Sequence, residues 1–107
     1  MKQQQKYTMY FSLNNYDYDS YTDALVVELN QYFDKGYTIT KCKGVWKGKT
    51  ETSYKLEIIR DELASPFNNG TSVYLEKVLR KIADWIKENY QQESVLLTKE
   101  NILTEII

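Results

Sequence analysis

The chain has 107 residues, 42% hydrophobic and 27% charged, with a net charge of -1 from 14 basic and 15 acidic side chains. That length predicts one domain with its own core, and the near-neutral balance excludes bulk electrostatic binding to nucleic acid and mimicry of DNA by an acidic surface. With no histidine and one cysteine, Cys42, a Ser/His/Asp triad, an internal disulfide and a cysteine-rich zinc site are excluded, and neither a metal nor a cofactor is expected.

Residues 1–6, Met1-Lys2-Gln3-Gln4-Gln5-Lys6, contain no apolar run. They read as a flexible N-terminus and not as a signal peptide, and no segment has the length of a membrane span. The expected location is therefore the cytoplasm. Asn69-Gly70-Thr71 matches a glycosylation sequon but reads as a turn in that setting.

Residues 7–13 alternate, with Tyr7, Met9, Phe11 and Leu13 on one face and Thr8, Tyr10 and Ser12 on the other, which predicts a half-buried strand. Asn14 to Asp19 is a polar, aromatic loop. Ser20-x-x-Asp23 resembles a capping box and opens a helix to about Lys35, striped by Tyr21, Leu25, Leu29, Tyr32 and Phe33. Gly36 is placed to end it in the left-handed conformation. Residues 37–42, continuing towards Trp46, are rich in β-branched side chains and predict a second strand. The turn Lys47-Gly48-Lys49 leads into a third strand over 51–60, where Thr52, Tyr54, Leu56 and Ile58 oppose Glu51, Ser53, Lys55 and Glu57. Two strands joined by a glycine turn pair as an antiparallel hairpin.

A loop with the sole proline, Pro66, precedes a second helix from about Ser72 to Tyr90, striped by Leu75, Val78, Leu79, Ile82 and Ile86 with Trp85 at its flank. Residues 93–98 predict a fourth strand. The tail, 99–107, fits a short amphipathic helix or an edge strand. The order β-α-β-β-α-β is that of the ferredoxin-like split βαβ arrangement. Right-handed crossovers put both helices on one face of a four-stranded antiparallel sheet and leave the other face open.

Candidate functional residues follow from that open face and from the hairpin. Thr8, Tyr10, Ser12, Thr40, Cys42, Trp46, Ser53 and Lys55 fall on the open side. Gly44-x-x-x-Gly48-Lys49-Thr50 is one residue short of a phosphate loop and lies in a hairpin instead of opening a helix. It leaves Lys47 and Lys49 as anion contacts. Carboxylates Glu51 and Glu57, or Asp17 and Asp19, carry no sign of an acid–base division of labour. The ten tyrosines suit interfaces and ligand walls, or reflect an AT-rich coding sequence. The open face and the apolar tail, Ile102 to Ile107, argue for self-association as a dimer or trimer. The candidate ligand- or partner-binding set is Tyr10, Tyr16, Tyr18, Trp46, Lys47, Lys49, Glu51 and Ser53, with no catalytic residue assigned.

Gly44-Val45-Trp46-Lys47-Gly48-Lys49 and Glu51, followed by Leu56-Glu57-Ile58-Ile59, resemble the central hairpin of the divalent-cation-tolerance CutA proteins and their PII-like relatives. Gln92-x-Ser94-Val95-Leu96 is similar to small phage and prophage proteins of the same topology. The resemblance implies a ferredoxin-like fold and a trimer. Metal binding does not carry over, since the histidine and cysteine ligands invoked for CutA-type proteins are missing, and the long nucleotide-binding loop of PII proteins is missing too.

Three functions follow as expectations. The first is a non-enzymatic oligomeric binding protein, phage- or mobile-element-encoded, that sequesters a nucleotide-like ligand or blocks a host defence protein; Tyr16, Tyr18 and Trp46 would stack the base. The second is a single-stranded nucleic-acid module on the open sheet face. The third is a small enzyme working with tyrosine, lysine and carboxylates alone.

Overall fold

The computed structural model describes residues 1–12, 18–33, 36–61 and 71–107, giving the backbone alone for 18–21 and 71–74. The elements are β1 (Lys2–Ser12), α1 (Tyr18–Asn30), β2 (Thr38–Trp46), β3 (Lys49–Asp61), α2 (Thr71–Tyr90) and β4 (Leu96–Thr104). The four strands form one antiparallel sheet in the order β2-β3-β1-β4. This is the ferredoxin-like arrangement that the element order predicts.

The side-chain alternation of the strands decides which face is covered. Tyr7, Met9 and Phe11 of β1 and Tyr54, Leu56 and Ile58 of β3 all point to the helix side, and all are buried. Leu25 and Leu29 of α1 and Phe33, three residues beyond its end, meet them, together with Val78, Leu79, Ile82 and Ile86 of α2. These are the apolar stripes of both helices, at the three- and four-residue spacing that puts them on one side. Tyr32, expected in the α1 stripe, is instead partly exposed; it lies past the end of α1 in a turn, its N–H donating to Leu29 O at 3.0 Å. Leu13 and the loop through Asp17 lie outside the described residues.

Residues 2–6, expected to be flexible, are the first half of β1. Gln4 pairs with Asp61 on one side and Ile102 on the other. The polar side chains there find partners of their own: Lys2 Nζ and Gln4 Nε2 donate to the Asp61 carboxylate at 2.8 and 2.7 Å, and the Thr104 hydroxyl donates to Gln4 Oε1. The tail resolves the same way. Residues 99–104 continue β4, because β1 offers them a full backbone ladder that an isolated helical turn would lack. Lys99 then lies over the Tyr7 ring at 5.7 Å and within 3.7 Å of Glu76, tying β4 to α2.

Helix α1 ends at Asn30, earlier than the expected Lys35, and Gly36 takes its positive φ of 103° further along the connection. Tyr37 closes that connection by donating its hydroxyl to Asn30 Oδ1 at 2.7 Å. Helix α2 stops with Gln91 in the left-handed conformation, φ 54°. Gln92 N donates to Lys87 O at 3.1 Å, the six-to-one bond of a Schellman ending.

Candidate functional site

The hairpin outruns the rest of the sheet. The last β1 residue paired to β3 is Ser12, opposite Ser53. Strands β2 and β3 continue through Lys43–Thr52, Gly44–Glu51 and Val45–Thr50 to Trp46–Lys49. At about 3.3 Å per residue this makes an arm roughly 13 Å long beyond β1. Its turn has two residues, Lys47 at φ 49° and Gly48 at φ 77°. Two positive φ values match the twist of the strands they join, and glycine takes the second without a Cβ penalty.

The root of the arm is fixed to the body. Ser12 Oγ donates to Thr52 O at 3.1 Å, and Ser12 N donates to Gln92 Oε1 at 3.1 Å. Beneath them Phe11 contacts Tyr54 and Tyr90 with ring centroids 5.9 and 6.3 Å apart, and Trp85 meets Tyr90 edge-on at 5.5 Å. This aromatic group seals the core where the helices stop covering the sheet.

Most of the sequence-derived site residues gather on the arm. Trp46, Lys49, Glu51 and Ser53 alternate onto its open side, with Lys47 in the turn. Trp46 is 67% exposed and Val45 66%, so the indole does not fold back onto the body. Gly44 has a packing reason to lack a side chain: a Cβ there would collide with the Ser53 hydroxyl. The result is a bare stretch of β2 flanked by Cys42, Trp46, Glu51 and Ser53.

Tyr10 is on the same open face but not at the same place. It pairs with Lys55 and Leu96, six residues along β3 from the Trp46 partner Lys49, which is about 20 Å. Tyr16 lies outside the described residues, and Tyr18 begins α1 with its side chain outside them. Around Tyr10 the open face carries charge, not aromatic rings: Glu57 sits between Lys6 at 3.6 Å and Lys55 at 3.5 Å. Sequence reasoning missed the other side of the arm. Lys41, Lys43, Thr50 and Thr52 alternate onto it, and the surface depression they line also takes in the neighbouring Cys42 and Glu51. The period-two spacing Lys41-x-Lys43-x-Val45 was the available signal.

Residues 38–52 hold four lysines against one glutamate, a net charge of +3 in a chain of net -1. An exposed indole among ammonium groups can stack a planar ring and meet an anion. Among the described residues no cluster of three carboxylate or sulfur donors is placed to hold a metal ion, and no helix is long and apolar enough to cross a membrane.

No family model matches the sequence, and no curated protein matches it. Solved structures do. A phage SAM lyase in complex with S-methyl-5'-thioadenosine superposes with a TM-score of 0.64 at 18% identity, over 91% of this chain and 80% of its own. A DUF3240 family protein from Shewanella baltica gives 0.62 at 13%, over 100% and 98%. CPII, a nitrogen regulatory PII-like protein from Thiomonas intermedia bound to ADP, AMP and bicarbonate, gives 0.53 at 11%, over 98% and 97%. The chain has the ferredoxin-like fold. At these identities the likeness establishes architecture and nothing of activity.

Proposed function

We propose that this chain is an oligomeric, non-enzymatic protein that binds a small adenine-nucleotide-like ligand through the hairpin arm. The observation that carries this is the exposed Trp46 at the arm tip, flanked by Lys47 and Lys49. A base stacked on an indole gains about 1–3 kcal/mol, and a lysine ammonium meets phosphate as a point charge. Two neighbours of the same fold support the class of ligand, one holding S-methyl-5'-thioadenosine and the other ADP and AMP. The phage origin of the first agrees with a phage- or mobile-element-encoded protein that sequesters such a molecule in a host cytoplasm.

Titration calorimetry against ADP, AMP, SAM and S-methyl-5'-thioadenosine tests the proposal. Trp46→Ala is expected to weaken whichever ligand binds by about 5- to 150-fold, the equivalent of one stacked base. Lys49→Ala should weaken ADP more than the uncharged thioadenosine. No heat and no thermal shift for any of the four would sink the ligand reading and leave the blocking of a host protein. The lyase neighbour also favours a second reading, an enzyme acting on SAM. Appearance of S-methyl-5'-thioadenosine on incubation with SAM would decide for it.

A further inference from the structure

The positive charge of this molecule and its projection coincide. Residues 38–52 are +3, which leaves the remainder of a chain of net -1 at -4. The sheet order puts β4, with Glu100, at the edge opposite β2. Charge on the arm is also spread around the ribbon. Lys41 and Lys43 stand on the helix side with Thr50 and Thr52, Lys49 stands on the open side, and Lys47 caps the turn. Lys43, Lys47 and Lys49 make no ion pair among the described residues. A free nucleotide stacked on Trp46 meets one face of such a ribbon and has no use for the lysines of the other.

The dimensions point to a polymer with phosphates on two sides. A two-stranded ribbon with its side chains is about 10 Å thick. The major groove of B-form DNA, about 12 Å wide and 8.5 Å deep, admits it, whereas the minor groove, about 6 Å wide, does not. The major groove of A-form RNA is too narrow as well. An arm extending roughly 13 Å beyond β1 reaches the groove floor before the body meets the backbone. Val45 and Trp46 near the tip are exposed and supply apolar surface for base edges such as the thymine methyl. A lipid surface fits this tip worse, because Lys47 at its extremity would be the group driven deepest into the bilayer.

We infer that the arm enters the major groove of double-stranded DNA. Lys41, Lys43, Lys47 and Lys49 meet phosphates on both walls, and Val45 and Trp46 touch the base edges. Local charge on the projection, not the balance of the whole chain, supplies the attraction, and the -4 remainder keeps the body off the duplex. Lysine contacts to phosphate carry no sequence information, so different sequences are bound alike. The inference goes beyond the small-ligand reading and does not rest on it.

Fluorescence anisotropy of a labelled duplex of about 20 base pairs, two helical turns, titrated with the full chain, tests it. Four phosphate contacts give a slope of about -3.6 for log K against log salt, so raising salt from about 0.05 to 0.2 M should weaken binding about 150-fold. Lys43→Ala with Lys49→Ala, one lysine from each face, should make the slope shallower by about 2. Trp46→Ala should weaken binding at every salt concentration and leave the slope unchanged. Circular dichroism checks that both variants are folded. The inference is overturned by no duplex binding at about 0.1 mM protein in low salt, the weak end of non-specific binding, including the case in which anionic vesicles are bound instead. Single-stranded DNA or double-stranded RNA of the same length bound as tightly as the duplex overturns it too, as does a lysine variant with the affinity and slope of the parent. A chain that binds ADP or AMP but no duplex sinks this inference alone, whereas one that binds duplex and none of the four small ligands sinks the ligand reading alone.

Discussion

Strands β2 and β3 run through two regions of this molecule with one alternating pattern and two outcomes. In the body, the helix-side residues Tyr54, Leu56 and Ile58 lie under α1 and α2 and are buried. In the arm, the same parity continues as Thr52 and Thr50, opposite Lys43 and Val45, with no helix among the described residues to cover it. Composition tracks this: the pattern changes from aliphatic to lysine and threonine at the point where the aromatic group around Phe11 and Tyr90 closes the core. The body therefore carries the stability, and the arm is free to carry recognition.

The comparison is broken most forcefully from the body side. Leu79→Ala removes a fully buried side chain and should cost about 3 kcal/mol, seen as a drop in melting temperature of roughly 10–15 °C. Tyr37→Phe deletes the hydroxyl that bonds Asn30 at 2.7 Å and should cost about 1 kcal/mol in a urea melt. Burial also raises the Tyr37 pKa above its ordinary value of 10.0. The folded chain thus holds that proton to higher pH than the unfolded one. Its contribution is complete below pH 10 and is lost as pH rises beyond it, so the alkaline fall in stability should be shallower in Tyr37→Phe.

Gln91→Gly removes the strain of a left-handed non-glycine residue and should stabilise the fold by about 0.5–1 kcal/mol. The smallest effect on stability belongs to the arm. Trp46→Ala should change unfolding free energy by less than about 0.5 kcal/mol while weakening ligand binding about 5- to 150-fold. A large loss of stability instead would mean that the arm is packed as the body is.

The sequence showed the body well because burial writes a period into it. The alternation of β3 and the stripes of α2 reappear in the structure residue by residue. What it hid were segments whose state is set by a distant partner. Lys2-Gln3-Gln4-Gln5-Lys6 is polar on both faces and has no intrinsic strand preference, yet it pairs on two sides. Tertiary pairing overrides local propensity there. The spacing of Ile102, Leu103, Ile106 and Ile107 fits a short helix or an edge strand, and the open edge of β1 takes residues through Thr104 as strand. At the candidate site, the gathering of Trp46, Lys47, Lys49, Glu51 and Ser53 followed from one hairpin and was legible. The separation of Tyr10 from that group depends on the register between β1 and β3, which no local pattern encodes.

The central position of β1 has a consequence for how the protein is made. Its partners on the two sides are β3 and β4, so Lys2 waits for Thr104. At roughly 5–20 residues per second of synthesis, the complete sheet cannot exist until about 5–20 s after β1 is made. During that interval Tyr7, Met9 and Phe11 emerge early with nothing to pack on, in a topology whose long-range pairings make folding slow. Until then the apolar face of β1 stays exposed on the nascent chain. Removal of residues 96–107 should leave β1 as an exposed edge and raise the tendency to aggregate, read by light scattering.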